Sequence, residues 1–425
     1  MERTSQISGF YKLSYEERLA IIKKFANLTD EEEAILKSSG ALKVEQANRM
    51  IENVIGVMPI PLGVAVNFLV NGKDYLVPMA IEEPSVVAAA SNAARIARAK
   101  GGFTTSSTES IMIGQIQAVG INDPFRAKMA VLKAKEEILK KANDQDPILV
   151  SLGGGAKNLD VKVIDTIQGS MVIVELHVDC KDVMGANAVN TMAEAVTPII
   201  ERVTEGKVHL RIISNLANLR LARASAVFPK EALGGEEIVN GIIQAYAFAA
   251  ADPFRCATHN KGIMNGVTAV ILATGNDTRA VEAGAHAYAA RSGKYSPLTI
   301  WEKNKDGDLV GSIEIPMAVG VAGGATRSHP IARINVKILD VKNAKEFEEV
   351  LAAVGLAQNL AALRALVAEG IQKGHMALHA RNIAVEAGAT GESADKIAEI
   401  MVKEGRIRAD RAKELVEEIR EKAIK

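Results

Sequence analysis

The chain lacks several features that would otherwise decide its class. It has only two cysteines, Cys180 and Cys256, far apart and in unrelated contexts. That excludes a disulfide framework and a cysteine metal-ligand spacing, and it makes a reducing cytoplasm the expected compartment. Neither sign of charge is in excess, since 51 Lys and Arg balance 51 Asp and Glu. Such a balance offers no broad field to nucleic acid or an anionic membrane, so any phosphate must be gripped locally. The opening segment, MERTSQISGFYKLSYEER, has no signal-peptide apolar core, and the most apolar run, 54–70, is interrupted by Pro59, Pro61 and Asn67. No membrane span is expected. Two nucleotide signatures are missing as well. No GxGxxG follows a strand and no GxxxxGK(S/T) occurs; Gly153-Gly154-Gly155 fails the spacing because Asn158 takes the third glycine position. A Rossmann domain is therefore not supported.

The chain does have length, small residues and a clear order of elements. At 425 residues it suits two to three domains. Aromatics are only 4%, so abundant alanine and glycine point to close helix and strand packing. Residues 14–56 read as helices, with Thr29-Asp30-Glu31-Glu32 fitting a capping box. Residues 62–80 alternate like a hairpin turning at Asn71-Gly72. After Pro84, the alanine-rich SVVAAASNAARIARA predicts a long central helix. From 109 to 214 the order strand, helix, strand, strand, helix, strand predicts a small ferredoxin-like α+β layer inserted into a larger helix-rich domain. The larger domain takes 1–108 and 215–374. Residues 375–425, with Gly388 and Gly391 as hinges, predict a C-terminal helical flap. The fold class is thus α+β. The apolar segment 350–371 suits either a buried core helix or a face shared with another chain.

Residues 252–279, DPFRCATHNKGIMNGVTAVILATGNDTR, carry the densest chemical signal. Arg255, Lys261 and Asp277 are the only charged side chains between Asp252 and Arg279, set on either side of what reads as a buried strand. A lysine against an apolar strand calls for a carboxylate, which the returning Asn276-Asp277 is placed to supply. The alternative is an ordinary ion pair at a loop edge. The segment Cys180–Asn187 joins a strand to a helix, and Gly185 and Ala186 there open backbone N–H groups to an anion. A structural turn explains the same glycine. His375 and His379 sit at i and i+4, but Met376 stands where a zinc protease has glutamate and no third ligand cluster is evident, so no metal is expected.

Six blocks stand in register: ENVIG (52–56), EEPSVVAAASNAA (82–94), DVMGANAVNTMAEA (182–195), HNKGIMNG (259–266), TGND (274–277) and GHMALHARN (374–382). Together they resemble hydroxymethylglutaryl-CoA (HMG-CoA) reductase of the soluble class II type, from about residue 10 to the C-terminus. The resemblance implies reduction of (S)-HMG-CoA to (R)-mevalonate and CoA by two hydride transfers, or the reverse oxidation. Each hydride step builds negative charge on oxygen, which Lys261 is suited to meet. Asp277 would align that lysine, and Glu83, raised in pKa by burial, would donate the alcohol proton. By residue chemistry alone Glu82 is indistinguishable from Glu83. His375 would protonate the departing CoA thiolate.

The likeness also assigns Arg255, Ser85 and Asn265 to substrate, with Arg255 gripping the carboxylate unless it simply pairs with Asp252. Asp182, Met184, Gly185, Ala186 and Asn187 go to the nicotinamide cofactor, although Val183 stands where the family often has alanine. Asp146, just before the SLGGG loop, is placed to accept from the adenosine ribose and repel a 2′-phosphate, which predicts NADH over NADPH; the alternative is a solvated turn aspartate. The family is an obligate dimer with a shared active site, so a homodimer, or a higher assembly of dimers, is expected. A non-redox CoA-thioester lyase or hydrolase could use the same lysine, glutamate and histidine and remains the alternative.

Overall fold

The computed structural model describes residues 4–38, 41–368 and 371–424, without the side chains of 371–378 and 420–424. Ten strands run in chain order: β1 (Leu62–Val70), β2 (Lys73–Ala80), β3 (Phe103–Ser107), β4 (Ile111–Val119), β5 (Gly155–Thr166), β6 (Gly169–Asp179), β7 (Lys207–Ile213), β8 (Leu221–Phe228), β9 (Thr299–Lys303) and β10 (Leu309–Pro316). They form a six-stranded sheet of order β2-β1-β3-β8-β10-β9 and a four-stranded sheet of order β5-β6-β4-β7. The protein is α+β, as the sequence predicts.

The predicted hairpin is present. Asn71 and Gly72 both have positive φ, 48° and 78°, the geometry a two-residue hairpin loop needs. In the N-terminal segment, Thr29 and Glu32 form the expected reciprocal capping box at the start of helix Asp30–Lys37. The helical reading of 14–56 holds only in part, because nothing regular follows Val44–Ala47 until β1. The chain from Ile51 to Pro61 is largely exposed, including Ile51, Ile55, Met58 and Ile60.

The alanine-rich segment after Pro84 is a helix, but a short one, Val86–Arg98. The long central helix is instead Ala344–Ala368, whose 25 residues are buried on every side from Val350 to Leu360. It is long and apolar enough to cross a membrane by length and composition alone, yet most of it is packed inside the protein. Helix Pro253–Ala273 lies against it. A Cβ on Gly266 would come within 3.0 Å of Gln358, and one on Gly355 within 3.1 Å of Ile263 and Val267. Small residues on both helices therefore set the close approach.

Helix Pro253–Ala273 also corrects the sequence reading, which took VTAVILA for a strand. Asp252 caps its start, accepting from Arg255 N at 2.8 Å, with Pro253 in the first turn. Cys256, Asn260, Ile263, Met264, Val267, Val270 and Ile271 are buried at three- and four-residue intervals. A short β-branched run does not by itself separate strand from buried helix.

The small sheet is antiparallel throughout and has the split βαβ order predicted. Its own core packs under helices Pro124–Lys133, Lys135–Asn143 and Ala186–Thr204; the first of the two expected helices is divided at Ala134. Helices Ile371–Glu386, Glu392–Glu404 and Ala409–Ile424 close around a third core, with Gly388 and Gly391 in the turn between the first two.

Candidate active site

Helices Val86–Arg98, Pro253–Ala273 and Ala344–Ala368 enclose a cavity of about 400 Å³. Glu83, Ser85, Arg255, Lys261 and Asn265 all line it, although they come from segments some 170 residues apart in sequence. Lys261 Nζ lies 3.1 Å from Glu83 Oε2, and their side chains are 60% and 35% exposed. Glu83 is therefore half-buried within one chain rather than fully enclosed. Glu82, the residue that chemistry alone left equivalent, is exposed and does not line the cavity.

Ser85 opens helix Val86–Arg98 in the left-handed region, φ 77° and ψ −22°, with no side-chain cap. A serine rarely adopts that conformation, and such outliers concentrate at functional sites. The Arg255 guanidinium has no carboxylate partner among the described residues. Asp252, its expected alternative partner, uses its carboxylate to cap the helix. An unpaired guanidinium beside an ammonium makes this wall cationic and fit for a carboxylate ligand.

The structure adds residues that the sequence reading did not single out. Gln358, on the long helix, is 5% exposed and lines the cavity, with its amide oxygen unpartnered. The polar Gln358-Asn359 pair inside AAVGLAQNLAAL was the available signal. A second cavity, of about 1050 Å³, shares Asn92 with the first. It is lined by Ile7, Phe10, Leu19, Ile22 and Val64, and Lys12, Arg18 and Arg95 also stand on it. Two residues before Lys261, His259 Nε2 lies 2.7 Å from Thr299 Oγ1, and burial holds its pKa down to about 4. His259 is thus a neutral structural group.

Asp277 is not at this cavity. Twelve residues of helix separate Lys261 from Ala273, about 18 Å at 1.5 Å per residue. Asp277 then caps helix Thr278–Ala289, accepting from Arg279 N and Ala280 N at 3.0 and 3.1 Å, and pairs with Arg279. The expectation that Asp277 answers Lys261 is not met within one chain, because a rigid helix holds them apart. His375 lies on helix Ile371–Glu386, but its side chain is outside the described residues.

Asp277 stands instead beside the predicted cofactor loop. Its neighbour Asn276 clamps Gly320, donating to its O at 3.1 Å and accepting from its N at 2.8 Å. Gly320 in turn packs on the backbone of Asp182–Met184. Asp182 accepts from Val321 N and Ala322 N through its carbonyl and from Ala344 N through its carboxylate. That carboxylate therefore caps the long helix. Gly185 has φ 106°, and a Cβ there would lie 2.2 Å from Cys180 Sγ. Burial pushes the Cys180 thiol up to about 12, so it packs there as a neutral group.

Helix Ala186–Thr204 begins with no side-chain cap, and Asn187 is exposed beside its first turn. Met184 and Ala186 are partly exposed beside it. The loop backbone is thus open to an anion at the positive end of a 19-residue helix, a fit for a dinucleotide pyrophosphate. Asp146 caps helix Pro147–Ser151, with one oxygen accepting from Leu149 N at 2.9 Å. The following glycines bring Gly153 to the Lys181 side chain, on the same rim as the loop. Among the described residues no three His, Cys, Asp or Glu side chains gather as a metal set.

Comparison with known proteins identifies the family. The family model described as hydroxymethylglutaryl-coenzyme A reductase matches residues 14–380. The 3-hydroxy-3-methylglutaryl-coenzyme A reductase of Archaeoglobus fulgidus is 64% identical over 417 residues, covering 98% of this chain and 95% of that one. A solved structure of the Streptococcus pneumoniae reductase has a TM-score of 0.83 at 40% identity, covering 97% of this chain and 99% of that one. A class II reductase from the same organism, solved bound to NADPH in open conformations, has a TM-score of 0.81 at 40% identity over 96% and 100% of the two chains.

Proposed function

The chain belongs to the hydroxymethylglutaryl-coenzyme A reductase family and is an NAD(P)H-dependent oxidoreductase of HMG-CoA, and we propose that its residues divide that work as follows. The observation that carries the assignment is the single cavity lined by Glu83, Ser85, Arg255, Lys261 and Asn265, with Lys261 and Glu83 in contact at 3.1 Å. Arg255 grips the substrate carboxylate, and Ser85 and Asn265 hydrogen-bond the hydroxyl-bearing part. Gln358 offers a further amide from the opposite wall. The CoA portion extends past Asn92 into the larger cavity, where an apolar lining suits the pantetheine arm and Lys12, Arg18 and Arg95 suit its phosphates.

The nicotinamide cofactor supplies hydride when bound. Lys261 donates to the thioester oxygen as negative charge builds there in the first reduction, and to the aldehyde oxygen in the second. Between the two, the hemithioacetal C–S bond breaks and its electron pair leaves on sulfur, which His375 protonates. Glu83 delivers the proton that completes the primary alcohol. Asp182, Met184, Gly185, Ala186 and Asn187 form the cofactor loop, and the second oxygen of Asp146 accepts from a ribose hydroxyl, favouring NADH over NADPH. Residues 109–214 are the cofactor-binding unit, 1–108 with 215–374 the substrate-binding unit, and 375–425 a flap that moves between the hydride steps. Free buried thiols at Cys180 and Cys256 suit the cytoplasm.

One chain does not complete this site. Asp277 and the cofactor loop lie together beyond the C-terminal end of helix Pro253–Ala273, while the cavity is lined by its N-terminal half, from Arg255 to Asn265. A homodimer resolves the separation, with the loop and Asp277 of one protomer facing the Glu83–Lys261 cavity of its partner. The exposed apolar segment Ile51–Ile60 is surface available to such an interface.

Mixing purified protein with HMG-CoA and either NADH or NADPH, while following nicotinamide absorbance and free thiol, tests the reading. Two cofactors oxidised per thiol released, faster with NADH, is the expected result. Faster turnover with NADPH would remove the role of Asp146 alone. Thiol release without oxidation would favour the hydrolase alternative, and acyl-CoA cleavage with neither signal the lyase.

A further inference from the structure

Arg220 is fully buried just before β8, and so is its counter-ion Glu348, one turn into the long helix. Arg220 Nε donates to Glu348 Oε1 at 2.7 Å, while the second carboxylate oxygen has no partner. The remaining guanidinium nitrogens do not reach another side chain. Nη1 donates to the carbonyls of Val183 and Met184, at 3.0 and 3.3 Å, and Nη2 donates to the carbonyl of Val319.

A buried ion pair is a poor source of stability, because desolvating both charges offsets most of their attraction and apolar replacements of equal volume often fold as well. Its geometry indicates a different use. Two successive loop carbonyls turn towards one cation. In a planar trans peptide the N–H points opposite to the C=O. Holding the Met184 carbonyl inward therefore aims the Gly185 N–H outward, at the uncapped start of helix Ala186–Thr204. Nη2 ties the same guanidinium to the strand-end segment that carries Gly320, which packs on the other side of the loop.

We propose that Arg220, neutralised by Glu348, is a positioning residue for the dinucleotide, fixing the peptide orientation of the 183–185 loop without touching the ligand. This rests on the reading of that loop as the cofactor site. Glu348 sits on the helix whose later turns carry Gln358 into the substrate cavity, so one rigid element holds both half-sites in register.

The test compares full-length wild type, the double variant Arg220→Met with Glu348→Leu, Glu348→Gln, and Asn187→Glu. NADH affinity is read by fluorescence titration in the absence of HMG-CoA, alongside thermal midpoint and the KM values for both substrates. The double variant removes both charges together; it should still fold, with a thermal midpoint lowered by the three carbonyls left without this donor, and bind NADH about tenfold or more weakly, as expected when charge-assisted hydrogen bonds to the loop are lost. Its KM for NADH should rise while KM for HMG-CoA stays unchanged. Glu348→Gln keeps an acceptor for Nε and should retain NADH affinity. Wild-type NADH affinity in the double variant overturns the proposal; if that variant fails to fold, Arg220→Lys, which spans fewer carbonyls, serves instead with the same criterion. Asn187→Glu places a carboxylate where the pyrophosphate would lie. Unchanged affinity there overturns the loop reading and the proposal with it, whereas loss there with none in the Arg220 variant overturns the proposal alone.

Discussion

A buried amide with an unbonded oxygen costs folding free energy, and Gln358 carries that cost in the wall of the substrate cavity. Such a group commonly costs about 1–3 kcal/mol, a penalty that leucine, of similar size, would not incur. Gln358→Leu is therefore expected to raise the thermal midpoint while raising KM for HMG-CoA by about tenfold, the value of one hydrogen bond to substrate. Calorimetry beside steady-state kinetics checks both, and a destabilised variant with normal KM would make Gln358 a packing residue. At this scale sequence was informative where side chains are chemically distinctive. Arg255 and Lys261 stood out as lone charges among small residues, and the structure sets both on one cavity. Gln358 did not stand out, because one amide in an alanine-leucine helix has no periodic signature. Residue chemistry alone did not separate Glu82 from Glu83; the resemblance chose Glu83, and the structure sets Glu83, not Glu82, on the cavity.

Among the elements, the cofactor loop depends most on a single atom that is absent. Any Cβ at Gly185 meets Cys180 Sγ at 2.2 Å in a backbone region that already disfavours side chains, with φ 106°. Gly185→Ala is expected to displace the loop and weaken NADH binding by about 10-fold or more, while the Lys261–Glu83 cavity in the other unit keeps its affinity for CoA. Adding Cys180→Ala removes the sulfur but leaves a Cβ at 2.9 Å, so it should recover part of the NADH affinity; no recovery would assign the loss to φ and that remaining contact. The split βαβ layer was legible because strand alternation of period two and helical segments follow one another there in a simple order. Helix Pro253–Ala273 was not, because Val267, Thr268, Val270 and Ile271 mimic a strand, and its helical signal, Asp252-Pro253, lies far upstream. The long helix was placed too early for a related reason: SVVAAASNAARIARA looks more helical than the segment that forms the core. Burial on all sides removes the amphipathic stripe from Ala344–Ala368, leaving length as its only mark.

At the scale of the molecule, the decisive fact is a distance within one helix. Lys261 and Asp277 belong to the same short stretch of sequence, yet about 18 Å of helix runs from Lys261 to Ala273 and Asp277 lies beyond its end, where its neighbour Asn276 is fastened to Gly320 beside the cofactor loop. Asp277 instead caps helix Thr278–Ala289 and pairs with Arg279. In the proposed two-fold dimer each protomer lends its loop and Asp277 to its partner, which gives two sites, each built from both chains. The consequence is measurable by complementation. Lys261→Ala and Asp277→Asn dimers should each be nearly inactive. Co-expressed with different tags and purified through both, the mixed dimer combines one doubly altered site with one that takes Lys261 from the second variant and Asp277 from the first. That intact site should restore about half of wild-type turnover per dimer. If both residues served the same chain's cavity, every site in the mixed dimer would carry one lesion and no activity would return.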